Sequence, residues 1–427
     1  MRKLGLFVCI IFITGMLAGF MSGCNKAKKG IIILPGVCGS ALVDSDTGEV
    51  IWDPLGDDIT VKELFLEDGG LNLSGETGQK IIGTGANIIS TIDQEDNPLI
   101  RILVDENGES IDKKIMPATM DTDSPKKYGA LGYYEQMCVR LSERYKDYEV
   151  SVFNYDWRID NRISANRLEQ YIEDKGYDKV IFVSHSMGGI IATDYLAKSE
   201  ANRDKVELFI SVATPYYGSI KALTMLLNPG GLLDILPDIA KDMLSSTVES
   251  TIAPILRSYY VIYQLLPQEN LFDSPEYADK PLLSIDGEEL TYNDLLDYIK
   301  GEDWIKTTKG EIRPQINGII DYHSSHYVEV DGALKHVTEL VNTYYLAGNG
   351  MNMELSVELS GGEFNITRNT LGDGTVSVYS ATLGKSVDDE RVFIYDDVNH
   401  GAIVIKFTEI IEKDCFELID SIGVGEN

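Results

Sequence analysis

Basic residues are scarce in this sequence. It carries 37 Lys and Arg against 68 Asp and Glu, a formal net charge of −31. That deficit excludes nucleic acid as a partner, because nothing would neutralise the phosphates. It also excludes simple electrostatic adsorption to anionic lipid, and its plainest meaning is solubility. Cysteine is scarce too. Cys9, Cys24, Cys38, Cys138 and Cys415 show no close spacing, which argues against a disulfide framework, although a single bridge stays open. Histidine occurs five times, so any chemistry that needs an imidazole has few places to find one. Internal repeats and low-complexity tracts are absent.

The remainder suits a large folded enzyme. At 427 residues and 44% hydrophobic content, the chain can bury a sizeable core as one elaborated α/β domain or as two to three average ones. Arg2 and Lys3 precede an apolar run over residues 4–20 that is too short to span a membrane comfortably. Met21-Ser22-Gly23 then lead to Cys24. The pattern predicts an export signal over 1–23, lipidation of Cys24 and a short basic tether over 24–29, so that the protein is anchored on the outer face of a bacterial membrane. An uncleaved anchor helix is the alternative. The folded part is expected over 30–427, with insertions at about 44–128 and 220–342.

Residues 180–183 are a β-branched and aromatic run that stops at Ser184-His185-Ser186-Met187-Gly188. Ile190, Ile191, Tyr195 and Leu196 then recur at helical spacing. The corner is one residue away from the G-x-S-x-G nucleophile elbow, with Ser184 in place of the first glycine, which predicts a slightly crowded turn. Short apolar strands over 30–34, 149–155, 206–212, 344–347 and 392–395 alternate with helical patterns over 133–145 and 164–174. That alternation marks a mostly parallel sheet covered on both faces. Asp46-Thr47-Gly48 and Glu106-Asn107-Gly108 read as hairpin turns; their acidic residues lack the rest of a calcium loop. The second insertion opens with many leucines, which suits either lid helices or a helical subdomain packed on the sheet.

Ser186 needs a general base, since an unaided hydroxyl is a weak nucleophile. His185 lies inside the elbow, where its ring would be directed elsewhere, and His323, His326 and His336 fall in the second insertion. His400 follows the last strand and precedes a helical pattern over 403–411, where an α/β-hydrolase places its base. The acid must lie between them. Asp373, in Gly372-Asp373-Gly374, stands out because flanking glycines let a carboxylate approach a buried imidazole; the same triplet alone reads as a turn. The oxyanion donors are expected to be the backbone amides of Met187 and Val37, the latter in Pro35-Gly36-Val37-Cys38-Gly39. Asp321, His323 and His326 could form a metal cluster, but three ligands on one short loop are a weak signal, and no metal or other cofactor is expected.

Leu34-Pro35-Gly36-Val37-Cys38-Gly39-Ser40, Gly132-Tyr133-Tyr134 and Tyr155-Asp156-Trp157-Arg158 resemble the lecithin:cholesterol acyltransferase and lysosomal phospholipase A family. So do the elbow, Thr214-Pro215-Tyr216-Tyr217-Gly218-Ser219, Gly372-Asp373-Gly374-Thr375-Val376 and Asn399-His400, all in the family's order. The resemblance implies an α/β-hydrolase with a lid that cleaves a phospholipid acyl ester. It would form an acyl-Ser186 intermediate and pass the acyl group to water or to an acceptor alcohol. It carries over Ser186, Asp373 and His400 as the triad, with Val37 and Met187 as oxyanion donors, and Asp156 and Arg158 as a supporting pair. The small disulfide-closed membrane-binding loop of the animal members has no equivalent here, and a lipid on Cys24 could replace it. Two rivals stay open: a carboxylesterase or triacylglycerol lipase, and a non-catalytic binding lipoprotein on the same scaffold. Nothing in the sequence specifies an oligomeric state.

Overall fold

A computed structural model describes residues 27–52, 98–120, 126–229, 253–277 and 280–423. The proposed export signal and Cys24 lie outside the described residues. So do 53–97 of the first insertion and 230–252 of the leucine-rich part of the second.

Six strands form the central sheet: β1 (Lys29–Leu34), β2 (Tyr148–Val152), β3 (Lys179–His185), β4 (Val206–Val212), β5 (Thr343–Asn349) and β6 (Val392–Asp396). Their order is β6-β5-β4-β3-β1-β2, and every neighbouring pair is parallel. The chain winds outward from β1 in both directions, as an α/β-hydrolase does.

Alternation along the strands explains the layers. Ile32 of β1 and Phe182 of β3 point to one face, where they meet Leu168, Ile172, Ile190, Ile191 and Tyr195. Ile31, Ile33, Ile181 and Val183 point to the other, against Met137, Leu141, Cys415 and Leu418. Three helices and the chain's last helix supply those partners: α1 (Glu135–Arg144), α2 (Asn161–Lys175), α3 (Met187–Lys198) and α4 (Glu412–Ser421). Each fully buried aliphatic side chain stabilises the fold by about 1.5–3 kcal/mol. Both faces are therefore dry, which is why these strands read as continuous apolar runs. Helix α2 is bounded by Asp160, whose carboxylate accepts from the Arg162 amide, and by left-handed Gly176.

The first insertion contains the expected hairpin: Leu42–Asp44 pairs antiparallel with Val50–Trp52 and, on its other edge, with Ile115–Pro117. Asp44 accepts the Asp46 and Thr47 amides and pairs with Arg101, so its carboxylate is spent on the turn. In the second insertion the helix Ile220–Leu227 buries Leu223 and Leu226 in the main core. Two features depart from expectation. A hairpin, Met353–Ser360 with Glu363–Asn369, intervenes between β5 and Asp373 and joins Leu283–Ile285 and Glu288–Glu289 in a second sheet. The helix expected over 403–411 breaks at Lys406 into Ala402–Ile405 and Phe407–Ile410. Cys38, Cys138 and Cys415 are unpaired. Among the described residues no helix is long and apolar enough to cross a membrane.

Candidate active site

The end of β3 and the start of α3 build the corner. Ser186 has φ 53° and ψ −130°, a backbone region costing about 1–3 kcal/mol that persists only where surroundings enforce it. Here its amide donates to the Val212 carbonyl at 2.9 Å and its carbonyl accepts from the Gly189 amide at 2.9 Å. The turn leaves no space behind the serine. A Cβ on Gly188 would lie 2.2 Å from the Leu34 carbonyl oxygen. Ser184 does fit, fully buried, but its hydroxyl finds no partner, which costs about 1–3 kcal/mol. What serine brings to this position is thus an unsatisfied buried hydroxyl.

The topology brings Ser186, Asp373 and His400 into one line. His400 Nε2 lies 2.9 Å from Ser186 Oγ, and His400 Nδ1 lies 2.6 Å from Asp373 Oδ2. A carboxylate can only accept, so Nδ1 carries the proton and Nε2 is left to accept from the hydroxyl. Asp373 is almost wholly buried. Its Oδ1 accepts the amides of Thr375 at 3.0 Å and Val376 at 2.8 Å, a turn that requires Gly374 at φ 91°. The His400 amide donates to the Asp373 carbonyl at 2.9 Å. Gly372-Asp373-Gly374 is thus both the turn and the carboxylate support that it could be read as.

The 35–39 loop sits against Ser186 and is held by aromatic side chains. Tyr155 donates to the Pro35 carbonyl (2.7 Å), Trp52 to the Cys38 carbonyl (3.1 Å) and Trp157 to the Ser40 carbonyl (3.2 Å). The Gly39 amide closes the turn on the Gly36 carbonyl at 3.0 Å, with Cys38 at φ 61°. Among the described residues, neither the Val37 nor the Met187 amide has a protein acceptor. Both are therefore available to an oxyanion at Ser186.

A cavity of about 370 Å³ opens over Ser186 and His400, lined mainly by apolar groups that include Val37, Cys38, Trp52, Ala130, Leu131 and Tyr133. Burial pushes the Cys38 thiol up to about 12. Asp156 and Arg158 form a buried two-pronged ion pair at 2.8 and 2.7 Å. The Asp321, His323 and His326 cluster does not assemble: Asp321 is exposed, His326 binds Asp194 at 2.8 Å, and His323 binds the Gln264 carbonyl at 3.2 Å. No group of three such ligands is placed to hold a metal among the described residues.

Sequence reasoning passed over two side chains. The ring of His185, expected to turn elsewhere, lies at the site, with Nε2 2.9 Å from the His400 carbonyl and Nδ1 2.9 Å from the Tyr134 hydroxyl. Burial, and the cost of a second positive charge beside His400, hold His185 well below the usual histidine range, so it stays neutral. The signal available for Tyr134 was its place in the Gly132-Tyr133-Tyr134 motif.

The all-parallel sheet, the strained serine corner and the loop facing it define an α/β-hydrolase. The lecithin:cholesterol acyltransferase family model matches residues 125–357, more than half of the chain, and the protein belongs to that family. The matched segment includes Ser186 but stops short of Asp373 and His400. An uncharacterized protein of Saccharomyces cerevisiae is 27% identical over 173 residues, 39% of this chain and 21% of its own length. The chain thus spans about a fifth of that relative. A chain of the Tle4–Tli4 complex superposes with a TM-score of 0.52 at 14% identity, over 94% of this chain and 99% of its own. Lipase BlEst2 of Bacillus licheniformis, at 13% identity over 93% and 94% of the two chains, reaches a TM-score of only 0.31.

Proposed function

We propose that the protein is a serine esterase of lipid acyl esters, acting as a phospholipase A and O-acyltransferase. The observation that carries the reading is the hydrogen-bonded line Ser186–His400–Asp373, at 2.9 and 2.6 Å, beneath an apolar cleft. Ser186 Oγ attacks the acyl carbonyl as His400 Nε2 takes its proton. Asp373 holds the imidazole in the working tautomer and stabilises the cation that forms. The Val37 and Met187 amides receive the oxyanion; one such donor is commonly worth about 10²- to 10³-fold in rate. His400 returns the proton to the departing lysolipid oxygen, and water or an alcohol then resolves the acyl-serine by the same steps. No step calls for a cofactor. The family and the apolar lining support a lipid substrate. Asp156 and Arg158 brace the segment whose Tyr155 and Trp157 hold the 35–40 loop.

The amino-terminal pattern supports export and anchoring through Cys24, which would hold the cleft beside its substrate. Incorporation of labelled palmitate that disappears in Cys24→Ala would test this. For the chemistry, a fluorophosphonate should label Ser186; labelling that survives Ser186→Ala defeats the assignment of Ser186, and no labelling at all favours a binding lipoprotein. Mass spectrometry of products from phosphatidylcholine vesicles, with and without added alcohol, tests the substrate and the acceptor. A strong preference for short soluble esters or neutral triglyceride would replace the phospholipid reading with a carboxylesterase or lipase.

A further inference from the structure

We propose that His185 and Tyr134 are positioning residues, a buried relay that locks the oxyanion loop and the base-bearing loop to the nucleophile elbow. The inference rests on the reading of Ser186, Asp373 and His400 as the triad.

Three observations carry it. First, the His400 carbonyl can only accept, so the hydrogen bond at 2.9 Å requires a proton on His185 Nε2. Second, His185 is buried at 5% exposure, in surroundings that keep the ring neutral. Its Nδ1 is then an acceptor, and takes the Tyr134 hydroxyl proton at 2.9 Å. Third, the Tyr134 oxygen itself accepts the Gly36 amide at 2.8 Å. The donors therefore run in one direction: Gly36 N–H to Tyr134, Tyr134 O–H to His185, His185 N–H to His400. One end of the relay is the amide of Gly36, the residue before Val37, the proposed oxyanion donor. The other is the main chain of the proposed base. His185 is adjacent to Ser186 in the chain, so both loops are referenced to the residue that must attack.

The His400 main chain is consequently gripped twice, by Asp373 through its amide and by His185 through its carbonyl. Main-chain clamps matter here because His400 sits on a loop, and an error of about 1 Å in the base can cost about 10²-fold. His185 hydrogen-bonds to neither the hydroxyl nor the carboxylate; it reaches the reaction through the His400 main chain and the His400 ring, whose centroid lies 4.9 Å from its own.

The test compares Tyr134→Phe, His185→Leu and His185→Gln in the full chain, using p-nitrophenyl butyrate and counting active sites by fluorophosphonate titration. Per titratable serine, Tyr134→Phe and His185→Leu should lose about 10- to 100-fold in kcat with KM within about twofold. His185→Gln, whose amide can still donate to the His400 carbonyl, should regain much of that loss. Wild-type kcat per titrated serine in both Tyr134→Phe and His185→Leu overturns the proposal. Nitrogen NMR of the labelled histidines in the unmutated protein provides an arm that needs no variant. His185 should keep a protonated Nε2 and bare Nδ1 throughout about pH 5–9, and a His185 that titrates in that range also overturns the relay. Failure of the triad reading is seen separately, as ester hydrolysis that survives Ser186→Ala.

Discussion

Gly188→Ala isolates the geometry on which an oxyanion hole at Ser186 depends. The added Cβ would lie 2.2 Å from the Leu34 carbonyl oxygen and 2.5 Å from that of Pro35. To reach even the 3.0 Å below which such contacts essentially never occur, the end of β1 must retreat by about 0.8 Å. Leu34 and Pro35 lead directly into the 35–39 loop, so that retreat carries Val37 away from Met187 and Ser186. Losing effective use of one oxyanion donor costs about 10²- to 10³-fold in kcat, while overpacking costs about 1–3 kcal/mol of stability. The protein should therefore stay folded at 25 °C but melt lower. Its kcat on a chromogenic ester should fall by at least about 10²-fold, and fluorophosphonate labelling should slow in step. Gly318→Ala is the control, because Gly318 has φ −106° and open space at its Cβ. Gly188→Ala with wild-type kcat would refute the claim that the close approach of β1 to α3 sets the site.

Three more tests follow from the site and its surroundings. In Asp373→Asn, the oxygen must stay where the Thr375 and Val376 amides donate, so the new NH2 faces His400 Nδ1 and moves the ring proton to Nε2; kcat should fall by about 10³- to 10⁴-fold with KM little changed, and a loss under tenfold would count against Asp373. Although Cys38 lines the cleft, its thiol is raised to about 12, so it should react slowly with iodoacetamide at pH 8 in the native state and faster once unfolded; rapid native alkylation would contradict that shift. Burial raises the Glu276 carboxyl from 4.5 to about 7, so the folded state holds that proton more tightly and loses stability as pH rises through this window. Glu276→Gln should raise the melting temperature at pH 8 and leave it unchanged at pH 4, and an equal effect at both would refute the assignment.

The sequence by itself determined whatever depends on near neighbours. Continuous β-branched runs such as Ile31-Ile32-Ile33 cannot be solvated on either side, so they announce a buried parallel sheet. Asp46-Thr47-Gly48 announces a hairpin turn, and small residues around Ser186 announce a sharp corner. The Met353–Asn369 hairpin was legible by the same logic, since Leu355, Val357 and Leu359 alternate up to Gly361-Gly362. The break at Lys406 was not legible, because the apolar positions on either side both fit a helix. Only the tertiary structure decided which polar groups meet. Tyr134, His185 and His400 are 51 and 215 residues apart along the chain. They converge because strand order lays β1 beside β3 and the last loop folds back over the elbow. Periodicity reports which face a residue presents, and it carries no information about a partner that far away. His185 showed as a neighbour of Ser186 from the start, but its hydrogen bond to the His400 carbonyl exists only once the sheet has closed.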